Sequence, residues 1–106
     1  CQIQPTLIKG DLNQAAMKDE IFGPILPIVK IKGFDEAISI IQKFDKPLSA
    51  YFFTESEDQA QKYLNSFSFG GGCINDCLLH LGNPDLPFGG VGASGMGAYH
   101  GQYSFD

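Results

Sequence analysis

The chain is poor in positive charge. Seven Lys and Arg stand against twelve Asp and Glu, for a net charge of -5, and no basic cluster occurs anywhere along it. A phosphate backbone would find no electrostatic footprint, which excludes nucleic acid as a partner. Long apolar runs are also missing. The longest are a few residues, far short of the roughly 20 that span a bilayer, and the first residues lack the charged-then-apolar pattern of a signal peptide. These absences predict a soluble, cytoplasmic protein with no membrane span. Cysteine is scarce: Cys1, Cys73 and Cys77 cannot all pair with one another, and a chain of this length with an ordinary core has little need of disulfide staples, so free thiols are expected. An initiating Met is absent. Cys1 leads at once into an apolar-alternating segment (Ile3, Leu7, Ile8), and Tyr103-Ser104-Phe105-Asp106 closes the chain without a polar tail. Both ends read as the interior of a longer sequence.

What is present is a globular composition: 106 residues, 43% hydrophobic and 18% charged, with nine Phe, far from the disordered class. A domain of this size hides somewhat under ~70% of its unfolded surface, enough for a modest core. Such a chain folds alone or as part of something larger.

Ile25 to Ile31 is β-branched and apolar and reads as a strand, with Pro27 near its start or at an irregular edge. Asp35 is a fair helix N-cap, and Ala37, Ile38, Ile41 and Phe44 fall on one helical face before Asp45-Lys46-Pro47 ends the pattern. Leu48 to Thr54 reads as a second strand. Ser56 to Gln59 has the form of a capping box, and Ala60, Tyr63, Leu64 and Phe67 follow at i, i+3, i+4, i+7, stopped by Gly70-Gly71-Gly72. Cys73 to Leu79 is apolar enough for a third strand. The order strand, helix, strand, helix, strand over 25–79 predicts an α/β fold with parallel strands and right-handed crossovers. A lead-in strand and the Glu20 region occupy 1–24, and an irregular Gly-rich tail rich in aromatics occupies 80–106.

Gly90 to Gly95, GVGASG, satisfies G-x-G-x-x-G literally. The dinucleotide fingerprint also needs a strand before it, a helix after it and an acid about 20 residues on, and none of these fits. Gly92 to Gly97 is not a P-loop, because Ala98 and Tyr99 stand where Lys and Ser or Thr belong. These glycines read instead as a close-packed turn. Cys73, Asn75 and Cys77 would share one strand face with His80 near its end, a C-x3-C-x2-H set that lacks a fourth metal ligand. Nothing puts either cysteine beside a base, so buried thiols are the plainer reading.

Glu20 and Phe22 are a more specific pair. In an extended segment stiffened by Gly23-Pro24 and Pro27, residues i and i+2 project to one side about 6.5 to 7 Å apart, so a carboxylate can accept from a sugar diol while a ring packs on an attached heterocycle. On residues alone the alternative is a surface acid beside a core Phe.

Glu20 to Pro27 (EIFGPILP), Asn75 to His80 (NDCLLH) and Pro87 to Gly101 (PFGGVGASGMGAYHG) together resemble the C-terminal part of the catalytic domain of aldehyde dehydrogenases, in the expected order and over essentially the whole chain. The YHGQYSFD ending resembles the class 3 branch, which includes the fatty aldehyde enzymes. That resemblance implies that Glu20 binds the ribose hydroxyls next to the nicotinamide of NAD or NADP and that Phe22 packs beside the nicotinamide. It implies that Phe88 lines the aldehyde pocket, and that Leu81, Gly82 and His100 lie near the substrate entrance, Gly82 by backbone only. Asn75 matches a position near the active-site wall and receives no chemical role.

Family members attack the aldehyde with a cysteine thiolate, pass hydride to the nicotinamide and hydrolyse the thioester with water activated by a glutamate. The matching nucleophile, general base, oxyanion Asn and dinucleotide-binding domain all lie upstream of Cys1. The resemblance therefore implies no catalytic residue in this chain, no metal, and no tight cofactor binding by it alone. The parent would be an NAD(P)-dependent enzyme oxidising an aldehyde to a carboxylate, with the remainder of that enzyme as partner and a homo-oligomeric assembly. Two other classes stay open: a non-catalytic α/β module that self-associates through faces its parent would cover, and a stand-alone nucleotide binder using the Gly-rich tail.

Overall fold

The computed structural model describes residues 2–105, so the thiol expected at Cys1 lies outside the described residues. They form an α/β chain in two compact units, one ending at Glu36 and the other starting at Ala37.

In the first unit, Thr6–Lys9 (β1) and Ile25–Ile28 (β2) pair in parallel, with Ile8 opposite Pro27. The Thr6 N–H donates to the Pro24 carbonyl and the Gly10 N–H to that of Ile28, both at 2.8 Å. Residues 24, 26 and 28 thus direct their hydrogen bonds toward β1, and Pro27, which has no N–H, turns its nitrogen to the opposite edge. The proline is tolerated in mid-strand for that reason, and the strand ends at Ile28 rather than Ile31. A single 3-10 turn, Ala15–Met17, lies between the two strands.

Phe34–Ile41 forms the first helix, α1. Asp35 is not its N-cap, as expected from sequence, but lies within its first turn beside Glu36. The Glu36 carboxylate reaches back to accept the Lys32 N–H at 2.6 Å, satisfying a donor just ahead of the helix. Phe44 falls past the helix end, where the N–H groups of Lys43 and Phe44 bond three residues back.

The second unit is built on Ser49–Phe52 (β3) and Gly71–Ile74 (β4), paired in parallel with Tyr51 opposite Cys73, and on Glu57–Leu64 (α2), which connects them. Ser56 caps α2, its Oγ accepting from the Gln59 N–H at 3.3 Å. The reciprocal half of the capping box is rerouted: Gln59 Oε1 accepts from Thr54 Oγ1 at 2.9 Å, and Thr54 Oγ1 accepts from the Ser56 N–H at 3.2 Å. The helix stops at Leu64, before the glycines, because the Asn65 side-chain amide donates to the Gln61 carbonyl at 2.9 Å. Phe67 lies beyond the helix yet still packs. Phe52, Tyr63, Phe67 and Phe69 form an aromatic cluster with neighbouring centroids 5.2 to 5.9 Å apart.

The third strand is displaced from the expected Cys73 to Leu79. Its first two residues are glycines that look like breakers in the sequence, and it ends at Ile74 because Asn75 and Leu78 take left-handed conformations, with φ of 57° and 64°. Glycine is required at position 71, where a Cβ would lie 2.6 Å from His80 Cδ2. The two left-handed residues turn the chain back so that the 3-10 turn Leu79–Gly82 packs on β4. Cys73, Asn75 and Cys77 therefore do not share a strand face. Cys73 is half-buried and Cys77 is exposed, which corrects the expectation of two buried thiols; both are free.

Ala60 and His80 are the buried residues among those described, while many large apolar side chains stand exposed, including Leu7, Phe22, Leu26, Phe53 and Leu79. No helix among the described residues is long and apolar enough to cross a membrane.

Candidate functional site

The candidate residues fall in both units. In the first, Glu20 and Phe22 lie on the irregular segment between the Ala15–Met17 turn and β2. Phe22 is 92% exposed, so no described residue buries its ring. The Glu20 carboxylate is exposed and has no hydrogen-bond or ion-pair partner among the described residues.

In the second unit the tail builds a compact aromatic arrangement. Phe88 and Tyr99 form an antiparallel bridge, with the Phe88 N–H donating to the Tyr99 carbonyl at 2.8 Å and the Tyr99 N–H returning to Phe88 at 2.9 Å. This bridge closes the loop that contains GVGASG. Within it Gly92–Ser94 is one 3-10 turn, and a Cβ on Gly90 would lie 2.1 Å from the Ser94 carbonyl oxygen. The segment folds tightly on its own backbone, with neither the preceding strand nor the following α-helix of a phosphate-binding turn.

The Phe88 ring stacks on His100 with centroids 5.9 Å apart and an interplanar angle of 26°, and Tyr99 meets His100 edge-on at 4.7 Å. His100 holds a φ of 98°, unusual for a residue with a side chain. Its N–H donates to Ser104 Oγ at 3.1 Å, and its Nδ1 is buried without a hydrogen-bond partner among the described residues. Leu81, Gly82 and His100 line one cleft of about 190 Å³ together with Pro84 and Gly101. Three of the four tail residues singled out from sequence thus share a cavity, and the fourth, Phe88, supports one of them. A larger apolar cleft of about 340 Å³, lined by Ile41, Phe44, Ala50, Phe52 and Phe67 among others, contains none of them.

Sequence reasoning missed Tyr99, Pro84 and Gly101, and it considered His80 only as a metal ligand. His80 is 8% exposed, and its Nδ1 lies 3.7 Å from Cys73 Sγ. Cys77, the other cysteine of that spacing, is exposed. Among the described residues no group of three or more His, Cys, Asp or Glu is placed to hold a metal ion.

The sequence pattern of the aldehyde dehydrogenase family matches residues 1–106, and the chain belongs to that family. Its relatives lie in the family 3 branch and around it. It is 59% identical over 105 residues to the 4,4'-diaponeurosporen-aldehyde dehydrogenase of Staphylococcus aureus (strain NCTC 8325 / PS 47), a match covering 98% of this chain and 23% of that protein. It is 50% identical over 105 residues to aldehyde dehydrogenase family 3 member A2 of Mus musculus, covering 98% of this chain and 22% of the relative. Among solved structures, the substrate-bound state of Staphylococcus aureus AldH superposes with a TM-score of 0.94 at 58% identity, over 98% of this chain and 23% of that one. The chain spans less than a quarter of the length of the relatives it matches.

Proposed function

We propose that this chain is one part of an NAD(P)-dependent aldehyde dehydrogenase, supplying the clamp for the nicotinamide ribose and one wall of the aldehyde pocket. The observation that carries the reading is the shared cleft of Leu81, Gly82 and His100, with the Phe88 ring stacked on His100. A cleft bordered by the Leu81 side chain, Pro84 and the His100 ring offers apolar contacts to the hydrocarbon part of an aldehyde.

Glu20 and Phe22 fit a nicotinamide riboside. A carboxylate without an internal partner is an acceptor for two ribose hydroxyls, and a ring 92% exposed is a flat apolar surface that a heterocycle would cover. The bound cofactor supplies a hydride acceptor. The chain's own contribution is orientation: Glu20 fixes the ribose, Phe22 restricts the ring's tilt, and Phe88 with Leu81 and His100 confines the substrate. The nucleophilic thiolate and the glutamate base belong to the remainder of the enzyme, which also covers the exposed apolar residues. Assembly as a homo-oligomer and action on free aldehydes in the cytoplasm complete this reading, with either NAD or NADP as oxidant.

The test is Glu20→Ala in the full-length protein that carries these residues. Losing a bidentate ribose contact should raise KM for NAD(P)+ or lower kcat by about tenfold or more, whereas KM for the aldehyde should move little. An unaltered dependence on NAD(P)+ overturns the clamp.

A further inference from the structure

We infer that His80 is a positioning residue, whose buried ring holds Phe88 against β4 and thereby sets the wall of the proposed aldehyde pocket. The inference rests on the reading of Phe88 given above and extends it to a residue two steps removed from the substrate.

The slot for His80 is built by the sheet. Position 71 carries no side chain, and the imidazole fills the space that a Cβ there would need, 2.6 Å from Cδ2. Tyr51 of β3 meets the ring at 5.7 Å, and Cys73 Sγ of β4 lies 3.7 Å from Nδ1. On its other side His80 faces Phe88 with centroids 6.2 Å apart and planes at 42°, and Phe88 in turn stacks on His100 at the cleft. A continuous series of rings runs from β3 through His80 and Phe88 to the cavity of Leu81, Gly82 and His100.

His80 Nε2 is buried without a hydrogen-bond partner among the described residues, so imidazole is a costly choice for a merely space-filling position, where an aliphatic side chain would leave nothing unsatisfied. What an aliphatic side chain lacks is a flat face for Phe88. Phe88 is only half-buried and has no regular strand to hold it beyond its single bridge to Tyr99. Rings packed against one another, tilted at 42° for His80 and Phe88 and stacked at 26° for Phe88 and His100, prefer discrete arrangements. The ring of His80 therefore fixes one rotamer of Phe88 and with it the width of the cleft.

The experiment is a double-mutant cycle in the full-length protein, using His80→Leu, Phe88→Ala and the pair, with a short and a long-chain aliphatic aldehyde. Phe88→Ala and His80→Leu should each raise KM for the long aldehyde about five- to tenfold, His80→Leu should leave kcat for the short one within about twofold, and the pair should be no worse than Phe88→Ala alone. His80→Phe, which restores a flat ring, should return KM to within about twofold of the parent. Should melting curves show His80→Leu to be misfolded, His80→Asn replaces it in the cycle with the same expectation. If Phe88→Ala leaves KM unchanged, the pocket reading fails and the inference falls with it. If Phe88→Ala raises KM while His80→Leu does not, or if the two effects multiply in the pair, the pocket reading stands and the role of His80 is overturned.

Discussion

The side-chain amide of Asn75 clasps the backbone of Thr54, with Oδ1 accepting the Thr54 N–H at 2.8 Å and Nδ2 donating to the Thr54 carbonyl at 2.9 Å. The amide takes the place of a peptide unit, prolonging the pairing of β3 with β4 by one step after the main chain has turned away at Ile74. The Asn75 N–H also donates to the Phe52 carbonyl, at 2.6 Å. Asn tolerates the φ of 57° needed there. Both ends of this clasp are tied to features on either side of the tail: Thr54 Oγ1 links to the cap of α2, and Asn75 opens the segment that carries His80 and Leu81.

Replacing Asn75 should therefore destabilise the protein through two separable causes. Asn75→Ala removes both amide bonds and forces a Cβ-bearing residue without a local polar partner into the left-handed region, for a loss of about 2 to 3 kcal/mol. Asn75→Gly loses the same bonds but none of the backbone tolerance, and should be milder by about 1 kcal/mol. Urea unfolding of the two variants measures the difference. Equal destabilisation would show that backbone strain at this position contributes nothing.

Gly71 offers a second, sterically simple case. Gly71→Ala places a methyl group 2.6 Å from His80 Cδ2, and His80 has little room to yield because Tyr51 and Phe88 flank it. Overpacking of this kind costs about 1 to 3 kcal/mol, read as a lowered melting temperature. Combining it with His80→Ala, which vacates the slot, should recover part of that loss. A double variant that shows the sum of the two single losses would place the clash elsewhere.

The elements that could be read from the sequence are those whose signal is local. The two helices declare themselves through apolar spacing and, for α2, through a cap that the structure forms with Ser56. The order of strands and helices from 25 to 74 and the parallel pairing of β3 with β4 follow from the same patterns, whereas β2 takes β1 as its parallel partner, which the 25–79 pattern does not name. What was not legible depends on neighbours distant in the chain. Gly71 and Gly72 look like breakers until the return of His80 over β4 is known, and they then become the first half of a strand. Pro27 looks like a strand edge in the lengthwise sense, when it occupies mid-strand with its nitrogen on the outer side. In the site, Leu81 and Gly82 could be named by resemblance, but their meeting with His100 at one cleft depends on left-handed turns at Asn75 and Leu78, which no periodicity announces. Phe22 was weighed as a core residue because an isolated Phe in an apolar stretch ordinarily is one. Its exposure shows that here the preference for burial is left unmet by the described residues.

The purified 106-residue chain should produce no NAD(P)H from NAD(P)+ and short or long aldehydes. The strongest objection is the Cys73–His80 pair, since a thiol 3.7 Å from an imidazole nitrogen has the outline of an activated nucleophile. Its surroundings argue otherwise. Cys73 lies half-buried within β4, opposite Tyr51 of β3, and it is not among the residues lining the cleft of Leu81 and His100. Attack on a carbonyl requires the sulfur to reach a bound aldehyde and a donor to hold the resulting oxyanion. An absorbance assay at the NAD(P)H band tests this directly. Sustained turnover that disappears in Cys73→Ser would move the chemistry into β4 and overturn the assignment of this chain to clamp and wall.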